Sequence, residues 1–279
     1  MKPLCDLHTH SVFSDGTDTP AEIIRSALDL ELHAVALCDH NTVDGLPDFL
    51  SAANGEPIEA IAGAEFSVDY QGTELHLLGL FIPEAAFSPI SQQMQEANRR
   101  KEESNLALVD RLNKAGYHLD YPAMKARSPK GQINRAHIAK ELTAMGYTPS
   151  ITHAFDTLLS KTGGFYTEPQ RITVFEMLHF LRDLGAMTVL AHPFLNLTEA
   201  ALLEFLTEAK RQGLQGMECI YSQYDQGQTE RSHQIAASFG LLPSGGSDYH
   251  GANKPDIRLG FGKGDLRVPY DYAEKLKSI

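Results

Sequence analysis

Short apolar, β-branched runs alternate with stretches of helical periodicity through the first 80 residues and again from about residue 171 onward. That alternation is the signature of βα units on a parallel sheet. Seven runs predict strands, at residues 4–8, 34–38, 59–64, 75–81, 187–191, 217–220 and 241–243. Helix signals fall between them. Thr19-Pro20-Ala21-Glu22 supplies an N-cap, a proline at the first helical position and a glutamate at the third, predicting a helix to about Leu30. Gly185, Gly213 and Gly240 stand where helices starting near Arg171, Thr198 and Gln228 should stop, each just before the next strand.

Residues 84–170 break the rhythm. A long charged helical pattern at 91–115, ended by Gly116, is followed by shorter helical pieces and no convincing strand. The pattern predicts a helical insertion, a lid at 84–170, in a barrel-forming body of 1–83 and 171–279. With 279 residues and 42% hydrophobic content the chain can bury a core for one domain carrying such an insertion.

Composition narrows the class. No run of about 18 apolar residues appears, and Met1-Lys2-Pro3 opens without a basic-then-apolar leader, so the expectation is a cytoplasmic protein with no membrane segment. Cys5, Cys38 and Cys219 form no C-x-x-C pair and sit in apolar runs, which predicts buried free thiols. The net charge of −12 argues against binding long nucleic acid. Residues 120–171 run the other way, with Lys125, Arg127, Lys130, Arg135, Lys140, Lys161 and Arg171 against Asp120, Glu141, Asp156 and Glu168. That local excess hints at an anionic ligand.

The candidate chemistry lies at strand ends, where a βα barrel builds its sites. His8 and His10 end the first strand, and residues at i and i+2 point the same way. Asp15 follows in a Ser14-Asp15-Gly16 turn, His40 ends the second strand and Glu65 the third, and His76 lies on the fourth. His192 ends the fifth. Asp248 and His250 repeat the i, i+2 spacing after Gly245-Gly246, glycines that let backbone come close. A lone strand-end histidine is more often a packing residue, but nine metal-type residues at one barrel face point to a metal cluster. Asp39 points away from the cluster and is expected to support a histidine. Glu218, Tyr221 and Ser222 end the sixth strand and are candidates for lining the pocket.

Asp6-Leu7-His8-Thr9-His10, Ser14-Asp15-Gly16, Cys38-Asp39-His40-Asn41-Thr42, Gly63-Ala64-Glu65, Ala191-His192-Pro193 and Gly246-Ser247-Asp248-Tyr249-His250 together resemble the polymerase-and-histidinol-phosphatase (PHP) family. The likeness spans residues 1–80, 186–252 and part of the insertion. Within the family it is greatest to the 3′,5′-nucleotide bisphosphate phosphatases that also act as 5′-to-3′ exoribonucleases on short RNA. The resemblance implies an α/β fold, a distorted (β/α)7 barrel, holding three divalent ions. His8, His10, Glu65 and Asp248 would hold one ion. Glu65 would bridge to a second on His76 and His192, and Asp15, His40 and His250 would hold the third. Mixed imidazole and carboxylate ligands suit Mn²⁺, Fe²⁺ or Zn²⁺, and family likeness favours manganese. Such a cluster lowers the pKa of water and neutralises phosphoryl oxygens, and no G-x-S-x-G elbow or catalytic-cysteine context appears.

In the insertion, Asn134-Arg135-Ala136-His137 resembles a Gly-Arg-Pro-His segment that contacts substrate phosphate in the bisphosphatase branch. The resemblance implies a catalytic and phosphate-binding role for Arg135 and His137, while Asn134 and Ala136 depart from it. Lys161, in a Gly-rich loop, is a further candidate for substrate contact, with Tyr221 and Ser222. The expected partner is a nucleotide or short oligonucleotide, and no protein partner is implied. Histidinol phosphate is the alternative substrate. A barrel amidohydrolase would carry a bridging lysine on the fourth strand, and residues 75–81 contain none. A non-catalytic scaffold would not need all nine ligand positions filled.

Overall fold

A computed structural model describes residues 3–127 and 133–278, and at Lys161 the backbone alone. Eight strands, β1 (Leu4–Thr9), β2 (Ala34–Leu37), β3 (Glu59–Tyr70), β4 (Thr73–Leu80), β5 (Met187–Leu190), β6 (Gly216–Tyr221), β7 (Leu242–Gly246) and β8 (Val268–Pro269), form one sheet in the order β7-β6-β5-β4-β3-β2-β1-β8. Helices surround it: α1 (Pro20–Asp29), α2 (Leu46–Ala52), α3 (Phe87–Lys114), α4 (Tyr121–Arg127), α5 (Arg135–Ala144), α6 (Ile151–Thr157), α7 (Val174–Asp183), α8 (Glu199–Arg211), α9 (Gln226–Ser238) and α10 (Asp271–Lys277). The expected capping box at Thr19 and Glu22 opens α1.

The sheet curls into a nearly closed barrel. Its seam joins β1 to the segment after β7, through Asp248 N–H to His8 O at 2.8 Å and His10 N–H to Tyr249 O at 2.8 Å. Gly246 makes this approach possible, because a Cβ there would stand 2.3 Å from His8 Cβ.

Two features depart from the expected parallel seven-stranded sheet. β3 continues to Tyr70 and turns through Gln71 and Gly72, both left-handed (φ 51° and 80°), into an antiparallel β4. Left-handed residues at both central positions make the tight turn that matches strand twist, and the short link leaves no room for a crossover helix. β4 then pairs antiparallel with β5. The two-residue β8, antiparallel to β1 at Leu4 and Cys5, is too short to leave a periodic trace.

Alternation along β2 divides the core. Val35 and Leu37 join the main cluster with helix residues such as Ile23, Leu178 and Phe205, while Ala34, Ala36 and Cys38 join a second cluster with Leu276 of α10. All three cysteines are buried and free. A third cluster lies wholly within the inserted region, from Leu108 and Leu112 through Ile138 and Leu142 to Tyr166. α3 ties the parts together, because Ile90 and Met94 at its start pack in the main core and Leu108 and Leu112 in the third. At about 1.5 Å per residue, its 28 residues run about 42 Å. No helix among the described residues is long and apolar enough to cross a membrane.

Candidate metal centre and adjoining cavity

The nine ligand-type residues converge on the strand ends. Three overlapping groups have donor atoms within 4.8 Å of one another: His10, Asp15, His40 and His250; His8, His10 and Glu65; and His40, Glu65 and His76. Asp248 stands beside the second group, with Oδ1 3.3 Å from His10 Nε2. His192 Nε2 lies 2.9 Å from Glu65 Oε1, and His76 Nδ1 lies 2.8 Å from the same oxygen. Glu65 therefore sits at the centre. Its other oxygen has three imidazole nitrogens around it, His8 Nε2 at 3.2 Å, His10 Nε2 at 3.3 Å and His40 Nδ1 at 3.1 Å.

None of those three contacts meets hydrogen-bond geometry, and Glu65 Oε2, His8 Nε2, both His10 nitrogens and His40 Nδ1 are buried without a hydrogen-bond partner among the described residues. So many orphaned donor atoms facing one another are rare in a folded interior, and they fit shared cations. Backbone strain gathers here too: Asp248 (φ 57°), His192 (φ 26°) and Asn41 (φ 53°), which follows His40, are left-handed without being glycine. Burial alone would discharge these groups. At His10 and His76 the carboxylates outweigh it, pushing them up to about 9 and about 10, while at His40 and His250 burial wins and holds both below the usual imidazole range. Burial likewise opposes charge on Glu65 and Asp248, yet their basic neighbours hold both well below the usual carboxylate range.

A second layer orients the ligand-type side chains. Glu218, fully buried, takes His8 Nδ1 at 3.1 Å on one oxygen and the His192 N–H at 2.8 Å on the other. Since a carboxylate can only accept, His8 Nδ1 carries the proton and Nε2 is left to face the cluster. His250 Nδ1 is fixed in the same way by Asp248 O at 2.9 Å. Tyr221, expected to meet substrate, instead donates to Asp248 Oδ2 at 2.7 Å, where Lys254 Nζ also lies at 2.6 Å. Ser222 donates to Ser247 O at 2.6 Å and so braces the strained turn rather than the pocket. Among the described residues Asp39 accepts no hydrogen bond from a histidine ring. It accepts from Ser11 N–H and from the Ser11 and Ser14 hydroxyls at 2.6–2.8 Å, holding the loop that leads to Asp15.

Beside the centre opens a cavity of about 300 Å³, at the lower end of small-ligand pockets. His40 and His76 form its wall toward the ligands, and Lys101, Arg135 and Arg171 form its basic side. Arg135 and Arg171 both reach Glu74 Oε2, at 3.0 and 2.7 Å, and Arg135 lies over the Tyr166 ring at 4.3 Å. Burial opposes charge on Glu74, but His76 and the two arginines keep it ionised. Lys101 is different. It is partly buried, burial lowers its pKa, and it makes no ion pair among the described residues. For its chemistry, Arg171 figured in the sequence only as one of the basic residues of 120–171, and Lys101 did not stand out at all. His137 does not join Arg135 here: its Nδ1 accepts from the Asn134 N–H at 3.2 Å, and its ring lines a separate cavity with Lys140 and Asn253. In this arrangement His137 completes the capping box of α5 with Asn134. The side chain of Lys161 lies outside the described residues.

A basic cavity against a buried histidine–carboxylate cluster on a barrel's strand ends defines a metal-dependent phosphoesterase. The chain belongs to the PHP family, whose domain model matches residues 6–236. It is similar to a 5′-3′ exoribonuclease of Haemophilus influenzae, 30% identical over 88% of this chain and 89% of that one. A phosphoribosyl 1,2-cyclic phosphate 1,2-diphosphodiesterase of Eggerthella lenta is 28% identical over 95% and 98%, and a 3′,5′-nucleoside bisphosphate phosphatase of Chromobacterium violaceum 27% over 88% and 86%. A crystal structure from Bifidobacterium adolescentis, described as a metal-dependent phosphoesterase, superposes with TM-score 0.85 at 26% identity over 100% of this chain and 97% of that one.

Proposed function

We propose that this enzyme removes the 3′-phosphate of nucleoside 3′,5′-bisphosphates and, by the same attack on a 3′-linked diester, releases 5′-mononucleotides from short 5′-phosphorylated RNA. The reading rests above all on Lys101, a half-buried ammonium without an ionic partner among the described residues, facing the cavity beside the cluster together with Arg135 and Arg171. A buried charge left unpaired is costly, and an anionic ligand would complete it.

The ligand groups fit three divalent ions, with manganese favoured: His8, His10, Glu65 and Asp248 for one, Glu65, His76 and His192 for a second, and Asp15, His40 and His250 for the third. When bound, such ions supply Lewis-acid charge to phosphoryl oxygens and activate water. Asp15, Glu65 and Asp248 offset only part of that charge, and the remainder suits one phosphoryl group. A second phosphate needs cations of its own. Lys101, Arg135 and Arg171 bind it, and Glu74 holds the two guanidinium groups in place. Tyr166 and Phe155 give the nucleoside an aromatic wall. Binding energy from the remote phosphate then orients the reacting one.

The names of the exoribonuclease and bisphosphatase relatives support this substrate class. The test compares adenosine 3′,5′-bisphosphate, 3′-AMP, a 5′-phosphorylated dinucleotide, phosphoribosyl 1,2-cyclic phosphate and histidinol phosphate under manganese. Highest kcat/KM on the first and third supports the reading. Preference for histidinol phosphate or the cyclic phosphate, or indifference to the 5′-phosphate, overturns it.

A further inference from the structure

Asn134 stands at the junction of the insertion and the cluster, and both ends of its carboxamide are engaged. Its Oδ1 accepts the His137 N–H at 3.1 Å, capping α5, and its Nδ2 donates to Asp15 Oδ2 at 2.7 Å. Asp15 is thereby divided. Oδ1 faces His250 Nε2 at 3.1 Å and His40 Nε2 at 3.8 Å, while Oδ2 faces the insertion. A second route runs from the same helix to the same residue: Lys140 Nζ donates to Asn253 Oδ1 at 2.6 Å, and Asn253 Nδ2 donates to Asp15 O at 2.8 Å. The residue after Asn134 is Arg135, whose guanidinium forms part of the cavity's basic side. One side chain thus touches a ligand of the cluster and sets the first turn of the helix that carries a phosphate-binding arginine.

We propose that Asn134 is a positioning residue that couples occupancy of the Asp15–His40–His250 group to the docking of α5, so that the insertion closes on the cavity when the centre is loaded. The proposal rests on the reading of those residues as a metal centre. A cation gripped by Asp15 Oδ1 fixes the carboxylate plane and leaves Oδ2 aimed at Asn134. A carboxylate with no cation to hold it can rotate and lose that donor. Coupling of this kind is reciprocal: the docked helix stabilises the loaded group by as much as the loaded group stabilises the docked helix. Loss of an outer hydrogen bond to a metal ligand typically costs 10–100-fold in affinity.

The experiment compares wild type with Asn134→Ser, which retains an N-cap but is too short to reach Asp15, and with Asn134→Asp, which retains the shape but sets a second carboxylate against the first. Manganese affinity is measured by calorimetry, and hydrogen exchange of the α5 amides is followed with and without manganese. Melting of the metal-free proteins reports on folding. The expected result is that manganese slows α5 exchange in the wild type and leaves it nearly unchanged in both variants. Affinity at the weakest site should fall about 10–100-fold. Equal metal protection of α5 and equal affinity in Asn134→Ser would overturn the coupling while leaving the metal centre intact. Absence of manganese binding by the wild type would overturn both.

Discussion

Glu218 Oε1 lies 3.1 Å from His8 Nδ1, and the opposite oxygen of the same carboxylate holds the His192 backbone N–H, so one buried acid sets the tautomer of one ligand-type histidine and the position of another. Glu218→Gln keeps the volume but offers only one acceptor for two donors. The variant should fold, bind manganese about 10–100-fold more weakly and recover activity at high metal concentration. Calorimetric titration checks this, and unchanged affinity would remove Glu218 from the centre.

Lys101→Met should separate function from stability. The ammonium has no ionic partner among the described residues and is disfavoured by burial, so its removal should leave the melting temperature of the free protein unchanged or raised. Turnover of the bisphosphate should fall by about 2–4 kcal/mol in kcat/KM. A small chromogenic monoester, with no second phosphate, should be hydrolysed nearly as before. Equal losses on both substrates would place Lys101 outside the phosphate seat.

Metal-free protein should show opposite pH trends in stability and in metal affinity. His10 and His76, raised to about 9 and about 10, hold protons more tightly folded than unfolded, where histidine titrates near 6.5. Their contribution is complete below about pH 6.5 and is lost as pH climbs through 9 to 10. Glu65 and Asp248, held low, stabilise above about pH 4.5 and cease to do so as pH falls through their folded values. His40 and His250, held low by burial, take up protons more readily unfolded than folded and so cost stability as pH falls below about 6.5, and stability without metal should peak near that pH. Manganese must displace those imidazole protons, so its affinity should rise between pH 6 and 8.5. Melts and titrations at the two values test both slopes, and a pH-independent affinity would contradict the proton inventory.

Gly246→Ala should damage the barrel and the centre together. The added methyl would meet His8 Cβ at 2.3 Å and His8 N at 2.5 Å, across the seam between β1 and the strand end that presents Asp248. Overpacking against backbone costs about 1–3 kcal/mol or more, and His8 cannot give way without leaving the cluster. A loss of melting temperature accompanied by a loss of metal affinity is expected. A variant with wild-type values of both would contradict the close approach.

Much of this site was legible because strand ends announce themselves locally. His8, His10, His40, Glu65 and His192 each close a short apolar run, and the i, i+2 spacing of Asp248 and His250 carries its own geometry. The second layer was not legible in the same way, since Glu218 and His8 are 210 residues apart and meet only through barrel closure. Lys101 was hidden among the charges of a long helix, where nothing local separates an ammonium crossing a cavity from one in water. The antiparallel β3–β4 pair had a signal in Gln71-Gly72 and in the shortness of the link, outweighed by the βα rhythm on either side. Asn134 was visible only as a departure from a family segment, and its contact with Asp15 depends on how the insertion docks.

The most direct test is phosphate release from adenosine 3′,5′-bisphosphate by protein stripped of metal and then titrated with manganese, with bound ions counted at each point. The account predicts negligible turnover in the stripped protein, activity rising with occupancy toward about three ions per chain, and a fall by orders of magnitude in a folded Asp248→Asn variant. Near wild-type turnover in rigorously metal-free protein would contradict it.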